Sequence, residues 1–255
     1  VGALSREGTH KGRPYVILFC LFVSFFLSGC TSSTHKAPVV EAVFVKLPPK
    51  GYYRARPNDT LYAIAWSYNV DYRLLAKYNQ LSYPYHIHPG QILRLDPKKP
   101  LLKGLPLNNS IKNIYATRKQ MAAVRVKEPS YHAVSGWSWP ANGTLIAGFN
   151  PALGNKGINL AGKPGTPIRA TAAGEVVYCG NGLQAYGQMI IIKHNADYFS
   201  AYAHNKKLLV KEGERVKSRQ IIAQMGSSGA DRTMLHFEIR RSGKPVNPLA
   251  LLPRY

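Results

Sequence analysis

Acidic side chains are scarce in this sequence. Twelve Asp and Glu stand against 34 Lys and Arg in 255 residues, leaving a formal charge of +22. So basic a chain is drawn to anionic partners, whether nucleic acid, lipid headgroups or an acidic polymer. Phosphate-loop and dinucleotide-binding patterns are missing, and "GSSG" at Gly226 to Gly229 lacks the spacing of a nucleophile elbow. Long apolar stretches are missing too. The run "YVILFCLFVSFFLSGC", from Tyr15 to Cys30, is too short for a comfortable membrane span.

Lys11 and Arg13 precede that run, and this is the layout of a signal peptide, here residues 1–29. Export takes nucleic acid off the list of partners. The run ends in Leu27, Ser28, Gly29 and Cys30, which resembles the lipobox of bacterial lipoproteins. A buried core helix ending in Gly-Cys is the alternative, but the basic flank before it and the polar "TSSTHKAP" after it fit processing better. The resemblance implies that Cys30 carries lipid and becomes the mature N-terminus, with several acyl chains forming a stable anchor. Thr31 after that cysteine implies sorting to the outer membrane, facing the periplasm. Processing would remove three basic residues and one acidic residue, taking the charge from +22 to +20.

Cysteine is scarcer still, with three in the chain. Cys20 leaves with the signal and Cys30 is lipidated, so no disulfide framework remains for Cys179. Within "GEVVYCGN" Cys179 reads either as a small packed hydrophobe or as a nucleophile, and the apolar setting favours packing.

Residues 30–50 are polar and carry Pro38, Pro48 and Pro49, a flexible tether. Residues 51–96 form a compact unit. Leu61, Ile64, Ala65 and Tyr68 fall at helical spacing after Asp59, an N-cap candidate, and Leu74, Leu75 and Tyr78 mark a second helix entered at Asp71. Short β-like runs, 52–56 and 91–95, flank the pair, so the expected order is βααβ.

The stretches "NDTLYAIAWSYNV", "LLAKYNQL" and "IHPGQILRL" together resemble the LysM module. Asn58 stands where that module usually has glycine, and asparagine tolerates positive φ. LysM modules bind the N-acetylglucosamine chain of peptidoglycan, which implies a glycan groove at Asp59, Thr60, Leu61, Asn79, Leu81 and Ile87. Asp59 capping a helix and Leu61 packing in a core are compatible with that role. His86 and His88 would share a face on a strand, as a metal pair does, but no third ligand is near in sequence and a loop placement before Pro89 is the plainer reading.

Residues 97–136 are a basic linker in which Glu128 alone opposes eight lysines and arginines. Such a segment is a solvated spacer and is attracted to wall carboxylates or lipid phosphates. From Trp137 to the end, short apolar runs alternate with glycine and turn residues, predicting a mainly antiparallel β domain over 137–255.

Three stretches of that domain, "NKGINLAGKPGTPIRATAAGEVVYCGN", "YAH" and "MLHFE", resemble the motifs "HxGxD", "YxH" and "HxHFE" of the LytM domain. These motifs belong to lysostaphin-type zinc endopeptidases that cut peptides of peptidoglycan. The resemblance places the three zinc-ligand positions at Asn155, Asn159 and His236, and the two helper positions at Met234 and His204. Catalytic zinc needs three protein ligands and an open place for water, whose pKa it lowers. Asparagine offers only a neutral amide oxygen, and methionine moves no proton. A two-histidine site that recruits Asp231 or Glu238 is a conceivable remnant, but nothing in the spacing demands it. The expectation is a degenerate domain with neither catalytic metal nor cofactor.

Signal, lipobox, one LysM module, basic linker and degenerate LytM domain together resemble NlpD-like murein hydrolase activators. That resemblance implies a protein that switches on a periplasmic N-acetylmuramoyl-L-alanine amidase in septal wall splitting and cell separation. Its partners would be glycan strands, the amidase and the outer membrane through the lipid, with Asn155, Asn159, His204, Met234 and His236 marking the amidase-binding groove. A zinc endopeptidase and a non-activating wall tether are the competing functions.

Overall fold

The computed structural model describes residues 50–99, 134 and 136–254. The signal segment, Cys30, the tether before Lys50 and most of the basic linker lie outside the described residues.

The first module runs β1 (Tyr52–Arg54), α1 (Leu61–Ser67), α2 (Tyr72–Tyr78) and β2 (Ile92–Arg94), as the pattern predicts. β1 and β2 pair antiparallel, with Tyr53 opposite Leu93. Leu61 and Ile64 of α1, Leu75 of α2 and Leu93 of β2 are buried in one apolar cluster, each such side chain contributing ~1.5–3 kcal/mol on leaving water. The first helix cap differs from the one the sequence suggests. Thr60, not Asp59, caps α1, its Oγ1 accepting from the Ala63 amide at 3.1 Å. Asp59 instead closes the preceding turn, its Oδ2 accepting from the Arg56 amide and the Tyr53 hydroxyl, each at 2.7 Å. Asp71 caps α2 as expected, accepting from the Arg73 amide at 2.7 Å. Asn58 adopts φ +65°, the conformation for which an asparagine-for-glycine exchange is best suited.

Asn79 joins the module's two halves. Its Nδ2 donates to the carbonyls of Leu75 (2.8 Å) and Arg94 (2.9 Å), and its Oδ1 accepts from the Arg94 amide at 2.6 Å. The end of α2 is thereby tied to β2.

The second module is built of antiparallel strands. β3 (Thr144–Ala147), β4 (Ile158–Ala161), β6 (Gly174–Gly180), β7 (Met189–Lys193), β8 (Tyr198–Ala203), β10 (Arg215–Val216), β12 (Met234–Arg241) and β13 (Lys244–Val246) form the large sheet. Its order is β10-β6-β7-β8-β12-β4-β3, and β13 pairs with β12. β5 (Pro167–Arg169), β9 (Asn205–Leu208) and β11 (Ile221–Met225) make a smaller sheet, ordered β5-β11-β9. The inner face of the large sheet supplies Leu160, Ile190, Tyr202, Leu235, Phe237 and Ile239 to a core shared with Ile168, Ile222 and Met225 of the small one. Among the described residues, this module's helical turns are three-residue 3₁₀ pieces.

Gly157 precedes β4 in the "NKGIN" stretch, where a Cβ would overlap the Phe237 carbonyl and the Glu238 side chain. Glycine there lets β4 lie close against β12. Cys179 is packed: its thiol donates to the Val210 carbonyl at 3.1 Å, and burial, then Glu212 and Glu214, push its pKa up to about 11.

A second apolar cluster joins the modules. Leu61, Ala65, Trp66, Tyr72 and Leu75 pack in one cluster with Met189, Ile191, Phe199 and Ala201 from the outer face of the large sheet. The βααβ unit is therefore seated on the β domain.

Candidate functional site

Strand β12 reads Met-Leu-His-Phe-Glu-Ile-Arg-Arg. Its period of two sends Leu235, Phe237 and Ile239 into the core and leaves Met234, His236, Glu238 and Arg240 on the outer face. Register then gathers the positions singled out from the sequence. His236 lies opposite Asn159 of β4 on one side and opposite Ala203 of β8 on the other, so His204, one residue beyond β8, is beside it. The rings of His204 and His236 are 6.1 Å apart between centroids. His204 holds φ +65°, and its Nδ1 donates to the Ser228 carbonyl at 2.8 Å. Burial lowers its pKa.

Both ring nitrogens of His236 are engaged. Nδ1 lies 2.6 Å from the Asn159 amide oxygen and Nε2 lies 3.1 Å from Glu238 Oε1. Glu238 also accepts from the Tyr186 hydroxyl at 2.8 Å and from Arg240 Nε and Nη2 at 2.9 and 2.8 Å. Burial would raise the Glu238 carboxyl, but the His236 hydrogen bond and the Arg240 charge hold it below the ordinary carboxylate range. Asn155, by contrast, turns back on its own loop, its Nδ2 donating to the Gly148 carbonyl at 2.6 Å and its Oδ1 accepting from the Gly157 amide at 3.3 Å.

These residues do not fit a catalytic zinc. Of the three positions that the LytM resemblance assigns to zinc ligands, two present neutral amides, one of them folded onto its own loop, and the third is a histidine whose nitrogens face Asn159 and Glu238. Glu238, the conceivable replacement, is engaged by Arg240, Tyr186 and His236. Among the described residues no three His, Cys, Asp or Glu side chains come together as a metal site, and this holds for His86 and His88 as well.

A cleft of about 600 Å³ opens over this network, lined by Lys156, Tyr186, His204, His236 and Glu238 from the β domain. Tyr53, Arg56, Asp59 and Tyr68 of the βααβ unit form its other wall. Asn155, Asn159 and Met234 are not among the lining residues. Of the positions named for glycan, Asp59 lines the cleft, Thr60 caps α1, and Asn79 holds backbone groups. Leu61 and Leu81 are buried and Ile87 packs half-buried against the shared cluster.

Sequence reasoning missed Arg240, Tyr186 and the aromatic wall. Arg240 was within reach, since the alternation that aligns His236 with Glu238 continues to it. Tyr186 sits in a 3₁₀ turn of the loop between β6 and β7, where no periodicity points to a site.

Comparison with known proteins gives a consistent answer. Residues 53–96 match the LysM domain, and residues 153–248 match peptidase family M23. The chain is 42% identical over 231 residues to a lipoprotein NlpD/LppB homolog of Pseudomonas aeruginosa, covering 80% of this chain and 77% of that one. It is 37% identical over 265 residues to the murein hydrolase activator NlpD of Escherichia coli K12, covering 81% and 70%. It is also 37% identical over 240 residues to the uncharacterized lipoprotein YgeR of the same organism, covering 93% and 92%. Similarity of this depth along most of both chains, with the two modules in the same chain, places the protein in the NlpD/LppB family of lipoproteins.

Proposed function

We propose that this protein activates a cell-wall hydrolase and does not itself cut wall. The observation that carries the reading is the state of the metal position: amides at 155 and 159, and a His236 whose nitrogens bond Asn159 and Glu238. A hydrolase of this fold works through a metal-bound water, and here Asn159 and His236 bond each other while Asn155 is tied to its own loop. What the site retains is shape and hydrogen-bonding capacity, which suffice for recognition. Relatives named as murein hydrolase activators support the same direction.

The partner is a periplasmic N-acetylmuramoyl-L-alanine amidase acting in septal wall splitting. It binds the sheet face around His204 and His236, with Asn155, Asn159 and Met234 beside them. The LysM module holds glycan strands, and lipid on Cys30 holds the chain to the outer membrane, facing the periplasm. To activate, the chain must bind the working form of the amidase more tightly than the idle one. In a dye-release assay on purified peptidoglycan, the amidase plus this chain should release far more dye than the amidase alone, and the chain alone should release none. Equal release with and without the chain would reduce it to a wall tether.

A further inference from the structure

The sheet face that carries His236 is covered along part of its length by the chain's own LysM module. Arg240 lies on that face. Its guanidinium carbon is 3.7 Å from the Trp66 ring centroid, and Nη1 donates to the Trp66 carbonyl at 2.6 Å. The Nζ of Lys193, on β7, is 4.8 Å from the centre of the Tyr72 ring and 5.7 Å from that of Tyr62. At the β12–β13 turn, Gly243 (φ +79°) is so close that a Cβ would meet the Asp71 nitrogen at 2.6 Å and Val70 at 2.7 Å. At the periphery, Arg73 pairs with Asp197 at 3.0 Å.

The composition of the covered face is not that of a permanent core. Strands buried on both faces read as nearly continuous apolar runs, whereas this face buries Lys193, Glu238 and Arg240 at 0%, 0% and 1% exposure. Glu238 and Arg240 pair with each other within β12, so neither loses its counter-charge when the module leaves. Ile191, Phe199 and Ala201 beside them form a patch that calls for a cover. An apolar centre beside a Glu238–Arg240 pair that stays neutralised without the module describes a surface that exchanges occupants.

We infer that the LysM module is a removable cover over the partner-docking face of the β domain, and that the hydrolase gains that face when the module swings away. The inference rests on the activator reading above. In the closed arrangement the open part of the face is the 600 Å³ cleft, the scale of a small-ligand pocket. A module seated about nine-tenths of the time lowers the apparent affinity of that partner about tenfold.

The test uses the full chain and two opened variants, Gly243→Asn and Arg73→Glu. Asparagine tolerates the positive φ of the turn while its Cβ presses on Val70 and Asp71, and Arg73→Glu places a carboxylate against Asp197 of the β domain and Asp71 of the module. Hydrogen exchange over α1 and β8 reports seating, and titration with the amidase reports affinity. The expected result is faster exchange at the interface and binding up to about tenfold tighter in the variants. Faster exchange with unchanged or weaker binding overturns the cover, and unchanged exchange in both variants overturns the assigned seating. If the amidase engages none of the three chains, the activator reading fails and takes this inference with it; if it engages all three equally, the cover alone fails.

Discussion

Arg240 and Trp66, 174 positions apart in sequence, are bonded twice, guanidinium over indole at 3.7 Å and Nη1 to backbone carbonyl at 2.6 Å. Through Glu238 the same arginine is linked to His236, and through His236 to Asn159. A continuous set of hydrogen bonds thus connects Asn159 and His236 to a helix of the LysM module.

Removing the arginine leaves a buried carboxylate without its main counter-charge. Arg240→Ala should therefore cost ~3–5 kcal/mol of stability by urea denaturation. Trp66→Ala removes a stacking surface but leaves the Arg240–Glu238 pair intact, and should loosen the module at smaller cost to the β domain. Equal loss in the two variants would show that the pair does not hold the network.

Restoring the missing ligands should restore metal. Asn155→His, Asn159→Asp and Met234→His together should bring zinc to about one ion per chain by elemental analysis, as a three-ligand site requires. Adding His236→Ala to the triple variant should abolish the gain. Failure of the triple variant to take up zinc would count against the assignment of these positions.

His194 links stability to pH. Its Nδ1 lies 2.9 Å from the Ala173 carbonyl and its Nε2 2.7 Å from the Ser200 hydroxyl. Burial lowers its pKa from 6.5 to about 4. Between those values the unfolded chain binds a proton that the folded chain refuses, so this stabilisation is complete above about pH 6.5 and falls as pH drops towards 4. The loss amounts to about 3 kcal/mol. His194→Gln should flatten that part of the stability curve measured by urea titration at stepped pH.

Cys179 should be inert. With its thiol pushed up to about 11 and bonded to the Val210 carbonyl, labelling by iodoacetamide at pH 8 should be slow in the folded chain and fast in urea. Rapid labelling of the native protein at this residue, located by mass spectrometry, would revive the nucleophile.

Much of the architecture was legible in the sequence because it depends on local rules. Asp71 caps α2, Asn58 takes positive φ, and alternation along β12 sorts core from face. The cap of α1 slipped by one because Asp59 and Thr60 are both good caps, and only the turn closed by Arg56 and Tyr53 decides which one the helix uses. The residues brought together at the site followed from register once His236 was placed. The seating of one module on the other was not legible: Lys193, Glu238 and Arg240 read as the solvent side of strands, and they are buried by a partner surface far away in sequence. Tyr186 was hidden for a related reason, since a loop residue gains its role from the carboxylate it happens to meet.

Whether this domain can hold a hydrolytic metal separates an activator from an enzyme. Elemental analysis of the full chain after dialysis against excess zinc, paired with mass spectrometry of peptidoglycan incubated with that same sample, tests it most directly. The prediction is zinc far below one ion per chain and no new peptide ends in the wall. One zinc per chain together with cleaved wall peptides, in the absence of any amidase, would contradict it.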